Sequence, residues 1–297
     1  MSKKPSGRAP KIQDPKRLNI DFYRGFEAGF HMNKAHALFT VLREKVLLQD
    51  RLFDGETDEK ELSKFDENLR AEIYFTEFQS TEALFALLLA GIQPKPHWLF
   101  LLEYDLGTVR RAIEAYLARD AKALTKALVS SMNEFLELAV YSGLRPSDAE
   151  KAARWGENLD SLDWLIRRVG RRYLDAEEYN AYKHGLRVRT GATRLTMFPD
   201  GRPDQADVIA ESPDSLTFLR VRPDSTGQRR AFVRTKHFSH VESYNHVFGM
   251  WKLFSTIRHS RLAHFESQPG APIELFLEMD RETIARSSRV AQFEFSV

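Results

Sequence analysis

The chain has 297 residues, 42% of them hydrophobic and 29% charged, with a formal net charge of +2. That is enough apolar sequence for one large domain, or one domain with an insertion, and too little net charge for a global field that draws nucleic acid or an anionic membrane. There is no cysteine, which excludes a disulfide framework, a thiolate zinc site and a cysteine nucleophile, and fits a reducing, cytoplasmic setting.

The first stretch, "MSKKPSGRAPKIQDPKR", is basic and rich in Pro, Ser and Lys, with no apolar core region. It predicts a disordered arm over residues 1–18 rather than a secretory leader. Residues 19–50 read as a helix with Tyr23, Phe26, Phe30, Leu38 and Val41 on one side, weakened at Gly25 and Gly29. The acidic connector "DGETDEKE" leads into a long helix at 58–90, stopped by "GIQPKP" because proline lacks the donor and disfavours helix before itself. Its longest apolar run, "ALFALLLAGI", is well short of the roughly 18 residues that span a bilayer, so no membrane segment is expected.

Residues 97–118 and 120–141 read as a helical hairpin, and Ser147 or Asp148 as the cap of a helix running to about 170. A shorter helix over 175–187 has acids in its first turn and bases in its last, the order that suits the helix dipole. Near 190 the character changes. "TRLTMF", "DVIAES", "SLTFLRV" and "RRAFVRT" read as short strands separated by turns, an antiparallel sheet of three or four strands. Helix returns over 239–266, and the tail holds strand-like segments near 273–278 and 290–296. The expected fold is mainly α, a helical bundle over 19–190 with a small antiparallel β insertion at 191–238, completed by a bundle helix and tail over 239–297.

The candidate chemistry lies in "STIRHSRLAHF", residues 255–265. With the apolar face set by Tyr244, Val247, Phe248, Trp251, Phe254, Leu262 and Phe265, Arg258 falls near its centre. A guanidinium there must meet a carboxylate, carbonyl groups or a bound anion. His264 lies roughly 120° around the helix from it and about 9 Å along the axis. Two readings stay open: a phosphate-handling site, or a structural arginine paired with Glu72, Glu77 or Glu82 while His264 caps the helix end.

Arg258-His259 followed by His264, late in a helical bundle, resembles the RNase motif of the HEPN superfamily, and residues 58–90 resemble an early long helix of that superfamily. The resemblance covers the helical parts and not the β insertion. It implies metal-independent RNA cleavage at a homodimer interface. His264 would be general acid/base for attack by a ribose 2′-hydroxyl, Arg258 would orient and neutralise the scissile phosphate, and His259 would support them. A Lys-His-Gly at a helix end also recurs in HEPN-like proteins, which implies Lys183 and His184 as phosphate contacts. The other reading of these two is an ordinary basic helix terminus.

Residues 181–240 carry 11 Lys/Arg against 6 Asp/Glu, so the positive excess is local. Arg220, Arg222, Arg230 and Arg234, with Phe218 and Phe232, are spaced as on two-faced strands, and such a sheet would hold RNA backbone or serve as a solvated face. His259 and His264 are five apart, as are His31 and His36, which is poor spacing for chelation on a helix. No HExxH and no phosphate-binding glycine loop occurs. Neither metal nor cofactor is expected. RNA, a second copy of the chain, or a protein partner are the expected ligands. The competing functional class is a non-enzymatic helical interaction module.

Overall fold

The computed structural model describes residues 14–52, 58–126, 128–183, 188–197, 207–223, 228–268, 273–276 and 292–296. Eleven helices and four strands occur among them: α1 (Pro15–Gly25), α2 (Phe30–Leu52), α3 (Glu59–Ala90), α4 (His97–Glu103), α5 (Leu106–Leu117), α6 (Ala121–Thr125), α7 (Met132–Tyr141), α8 (Ala149–Ala153), α9 (Trp155–Leu174), α10 (Glu177–Lys183), β1 (Val188–Met197), β2 (Asp207–Pro223), β3 (Arg229–His237), α11 (His240–Phe265) and β4 (Gln292–Ser296). The fold is the expected mainly helical bundle with a small antiparallel sheet. No described helix is long and apolar enough to cross a membrane.

Local chemistry sets most helix starts. Asp14, Asp58, Asp105, Asp120, Asp148 and Ser239 each accept backbone N–H bonds from the first turn they precede. Asp148, not Ser147, is the cap of α8. α7 opens with a capping box, in which Ser131 accepts from the Glu134 N–H and the Glu134 carboxylate accepts from the Ser131 N–H. Ser131→Ala is expected to lower stability by about 1 kcal/mol, measurable as a shift in the urea midpoint.

Four expected helices are divided. The 19–50 segment starts earlier, at Pro15 inside the expected arm, and breaks between Gly25 and Phe30; the two halves of the 97–141 hairpin become α4 with α5 and α6 with α7, and the helix expected to run to about 170 becomes α8 with α9. A side chain at Gly29 would press against the Glu27 carboxylate, which turns back to accept the Gly29 N–H at 2.8 Å. That closed turn ends the helical ladder.

α3 is about 48 Å long at the standard rise. Its second half is buried nearly all round. α11 packs along it, and α1, α2, α7 and α9 close around the pair. The core between them is built from Leu84, Leu88, Val109, Ile113, Leu136, Val140, Leu165, Val169, Met250, Leu253 and Ile257. A second core joins the sheet to the bundle, with Tyr74, Phe75 and Phe78 of α3 packing against Tyr179, Leu216 and Phe238.

The sheet order is β1-β2-β3-β4, antiparallel throughout. "SPD" at 212–214, expected to separate two strands, is absorbed into the single 17-residue β2. The fourth strand comes from the tail: β4 pairs with β3 with Val233 opposite Phe295 and Arg234 opposite Glu294. Residues 273–276 are not a strand; they cross the bundle, where the Phe276 N–H donates to the buried Asn158 Oδ1 at 2.7 Å.

Candidate functional site

α11 carries Arg258, Arg261 and His264 to the corner where α1, α4 and α7 meet. Arg258 is half-buried and meets no carboxylate among the described residues. Its Nε donates to the Tyr23 carbonyl at 3.0 Å and its Nη2 to the Arg24 carbonyl at 3.4 Å. These are last-turn carbonyls of α1, which lack intrahelical donors, so Arg258 acts as a C-terminal cap supplied by another helix. The arginine that enters the core is Arg261, only 3% exposed. Its Nη2 donates to the Leu138 and Ala139 carbonyls at 3.0 and 2.7 Å, closing the end of α7. The guanidinium lies directly over Gly91, where a Cβ would stand 1.8 Å from Nη2. The expectations that Arg258 centres the buried face and that a glutamate pairs with it are both corrected. Carbonyl groups take that place.

Arg261 also faces the buried Tyr23 hydroxyl, which is 2.8 Å from His97 Nδ1. Burial pushes the Tyr23 hydroxyl up to about 12, against the pull of Arg261. Burial pushes His97 down to about 3, with Arg261 and His264 adding to the effect. Both groups are therefore neutral at physiological pH, and they share one hydrogen bond. The His97 backbone N–H donates to Asn19 Oδ1 at 2.7 Å, so the corner is tied on both sides.

The two motif histidines point to different places. His259 is exposed and opens onto a cleft of about 720 Å³ that neither Arg258 nor His264 lines; Lys252 and Arg154 share it. His264 is exposed beside Phe265, with ring centroids 5.2 Å apart. Burial lowers its pKa, as do Arg261 and Lys16, so its ring is neutral at pH 7. Arg258 and His264 thus share a helix with His259 but not its cleft.

The most extensive polar cluster lies elsewhere, between α3, α9 and α11. Glu77 is fully buried. Arg172 holds both its oxygens, Nε to Oε1 at 2.7 Å and Nη2 to Oε2 at 2.9 Å. Ser243 Oγ donates to Oε2 at 2.7 Å, and His246 Nδ1 lies 2.8 Å from Oε1. Arg168 Nε donates to His246 Nε2 at 2.8 Å, which fixes the tautomer: the proton is on Nδ1 and points at Glu77. Glu242 completes the set, accepting from Arg168 Nη2 at 2.7 Å and facing Arg172 Nη1 at 3.2 Å. Burial alone would raise the Glu77 carboxyl; Arg172 and His246 outweigh it and hold the group well below the usual carboxylate range. Both nitrogens of His246 are bonded and the ring is sealed, so the cluster fastens three helices; on its outer side Arg168, Arg172 and Glu242 line a cleft of about 650 Å³. The sequence signal for it is Glu77 itself, a charge inside the run "YFTEFQSTEALFALLLA".

Lys183 is engaged within the fold. Its Nζ donates to Glu82 Oε2 at 2.6 Å and sits 4.2 Å from the Tyr179 ring centroid. Tyr173 and Tyr179 donate to the same oxygen. His184 lies outside the described residues. Arg234 is 8% exposed and donates to Glu177 Oε2 at 2.8 Å, so it anchors β3 to α10 and is not a surface cation. Lys236 does the same with Glu178, which the Tyr74 hydroxyl also bonds. The side chains of Arg220, Arg222 and Arg230 lie outside the described residues. Their backbone register sets Arg220 opposite Phe232 and Arg222 opposite Arg230, on the face that carries Phe218 and Arg234. Lower down, that face is the one buried against the bundle, with Leu216 and Phe218 in the second core. Phenylalanines and arginines therefore share a face here.

Among the described residues no three His, Asp or Glu side chains gather as metal ligands. No known protein family, no curated protein and no solved structure matches the chain.

Proposed function

We propose that the protein is a non-enzymatic helical binding module in which the arginines of the α11 motif are structural. The observation that carries this reading is the use of Arg258 and Arg261. Both direct their guanidinium groups to main-chain carbonyls at the ends of α1 and α7. A scissile phosphate would have to displace Arg258 from a helix end it caps. The expected result is that purified protein leaves a mixed RNA pool intact in EDTA, and that His264→Ala behaves identically while both remain folded.

A second reading, a metal-independent endoribonuclease of toxin or defence type acting as a homodimer on RNA, keeps one supporting observation. His259 and His264 are exposed, and His264 is held neutral, as a general base must be. EDTA-insensitive cleavage that disappears in His264→Ala would establish this reading and overturn the first.

A further inference from the structure

The break between α1 and α2 opens a groove of about 490 Å³, bounded by Phe22, Phe26 and Phe30 with Trp98 of α4 across it and Phe254 of α11 at its base. The rings are arranged as walls. Phe22 stands 5.8 Å from Phe26 and 6.0 Å from Trp98, centroid to centroid, and Phe26 stands 6.0 Å from Phe254. Phe30 is 63% exposed and Trp98 44%, an unusual display for rings of this size. Among the described residues the charged groups lining the groove are acids, Asp21 and Glu27. Glu27 is held in place by the Gly29 N–H, and Asp21 makes a loose approach to exposed Arg17 at 3.8 Å. Lys34, the nearest cation on α2, is turned to Glu72 and Gln79.

His31 also lines the groove, and its buried Nδ1 has no hydrogen-bond partner among the described residues. Burial pushes its pKa down to about 4, with Lys34 adding to the effect, so the ring brings no positive charge to the groove. A neutral hydrophobe would fill such a groove but leave both carboxylates unused. An inorganic cation would find too few oxygens. The negative faces of aromatic rings and a rim of carboxylates together suit a cation with an apolar surface.

We propose that this groove binds a small organic cation, an alkylammonium ligand, by cation–π contact with Trp98 and the phenylalanines and by charge attraction to Asp21 and Glu27. The site is independent of whether the chain cleaves RNA. The test is calorimetric titration of the full chain with choline, with the larger benzyltrimethylammonium, and with 3,3-dimethylbutan-1-ol, the uncharged isostere of choline. Choline is expected to bind about ten-fold or more tightly than the alcohol. Trp98→Ala is expected to lose about ten-fold in affinity for both cations. The double variant Asp21→Asn, Glu27→Gln keeps the shape of the groove and is expected to bring choline to the level of the alcohol. Trp98, Asp21 and Glu27 are at the surface, and an unchanged melting midpoint shows that each variant folds. Equal binding of choline and the alcohol, cation binding untouched by Trp98→Ala, or no saturable binding of either cation would overturn the proposal. So would self-association of the chain that blocks the groove, which would assign it to a second copy.

Discussion

Replacing Glu77 with alanine is expected to destabilise the protein by about 3–5 kcal/mol, the scale for removing one partner from a buried ion pair. The variant leaves the Arg172 guanidinium, His246 Nδ1 and Ser243 Oγ without the acceptor they share in the sealed interior. Urea unfolding would measure it; a change under about 1 kcal/mol would mean that the cluster relaxes to new partners at little cost. The pH dependence follows from the direction of the shift. The folded carboxyl titrates below its unfolded value of about 4.3, so its contribution is complete above that pH and is lost as the pH falls toward the folded value. Wild type should therefore lose stability more steeply below about pH 4.5 than Glu77→Gln, which cannot titrate at this position. Parallel curves for the two proteins would contradict the assignment.

Gly91→Ala should also be strongly destabilising, by about 1–3 kcal/mol or more, because its Cβ would enter the space of the Arg261 guanidinium. The Ala139 carbonyl, 3.1 Å from the same Cβ position, limits relief by a backbone shift. Arg261→Ala alone should be destabilising too, since it removes the donors from the end of α7. The two losses should not add. With the guanidinium gone, the new methyl group has room, so the double variant should be more stable than the sum of the single effects by about 1 kcal/mol or more. Simple additivity would mean that Gly91 is needed for some reason other than Arg261.

The bundle and the sheet were legible because periodicity and punctuation report burial directly. The long α3, the change of character near 190 and the acidic start of α10 all follow from such signals. The role of Arg258 was misplaced for a physical reason. α11 buries one broad face, and the residues on it include Ser243, Gly249, Ser260 and Ala263 as well as large side chains. The aromatic residues Phe248 and Trp251, which periodicity assigns to the buried face, are only half-buried. A stripe defined by them is rotated away from the true centre, so Arg261 was overlooked. The Glu77 cluster draws on three helices far apart in sequence, and each arginine of α9 taken alone reads as a solvated charge. The sheet arginines mislead in a similar way, because one strand face passes from the tip of the sheet into the core.

The pairing of α3 with α11 has a consequence for how the chain is made. Glu77 and His246 are 169 residues apart, so the helix that completes the central pair leaves the ribosome long after α3 has done so. Until then α3 has much of its apolar surface uncovered and one carboxylate that only α9 can reach. Closing so long a separation is slow, and the nascent chain is exposed to aggregation during the wait. Synthesis stalled before residue 240 should therefore yield a species that binds chaperones, and release of α11 should be the event that frees it.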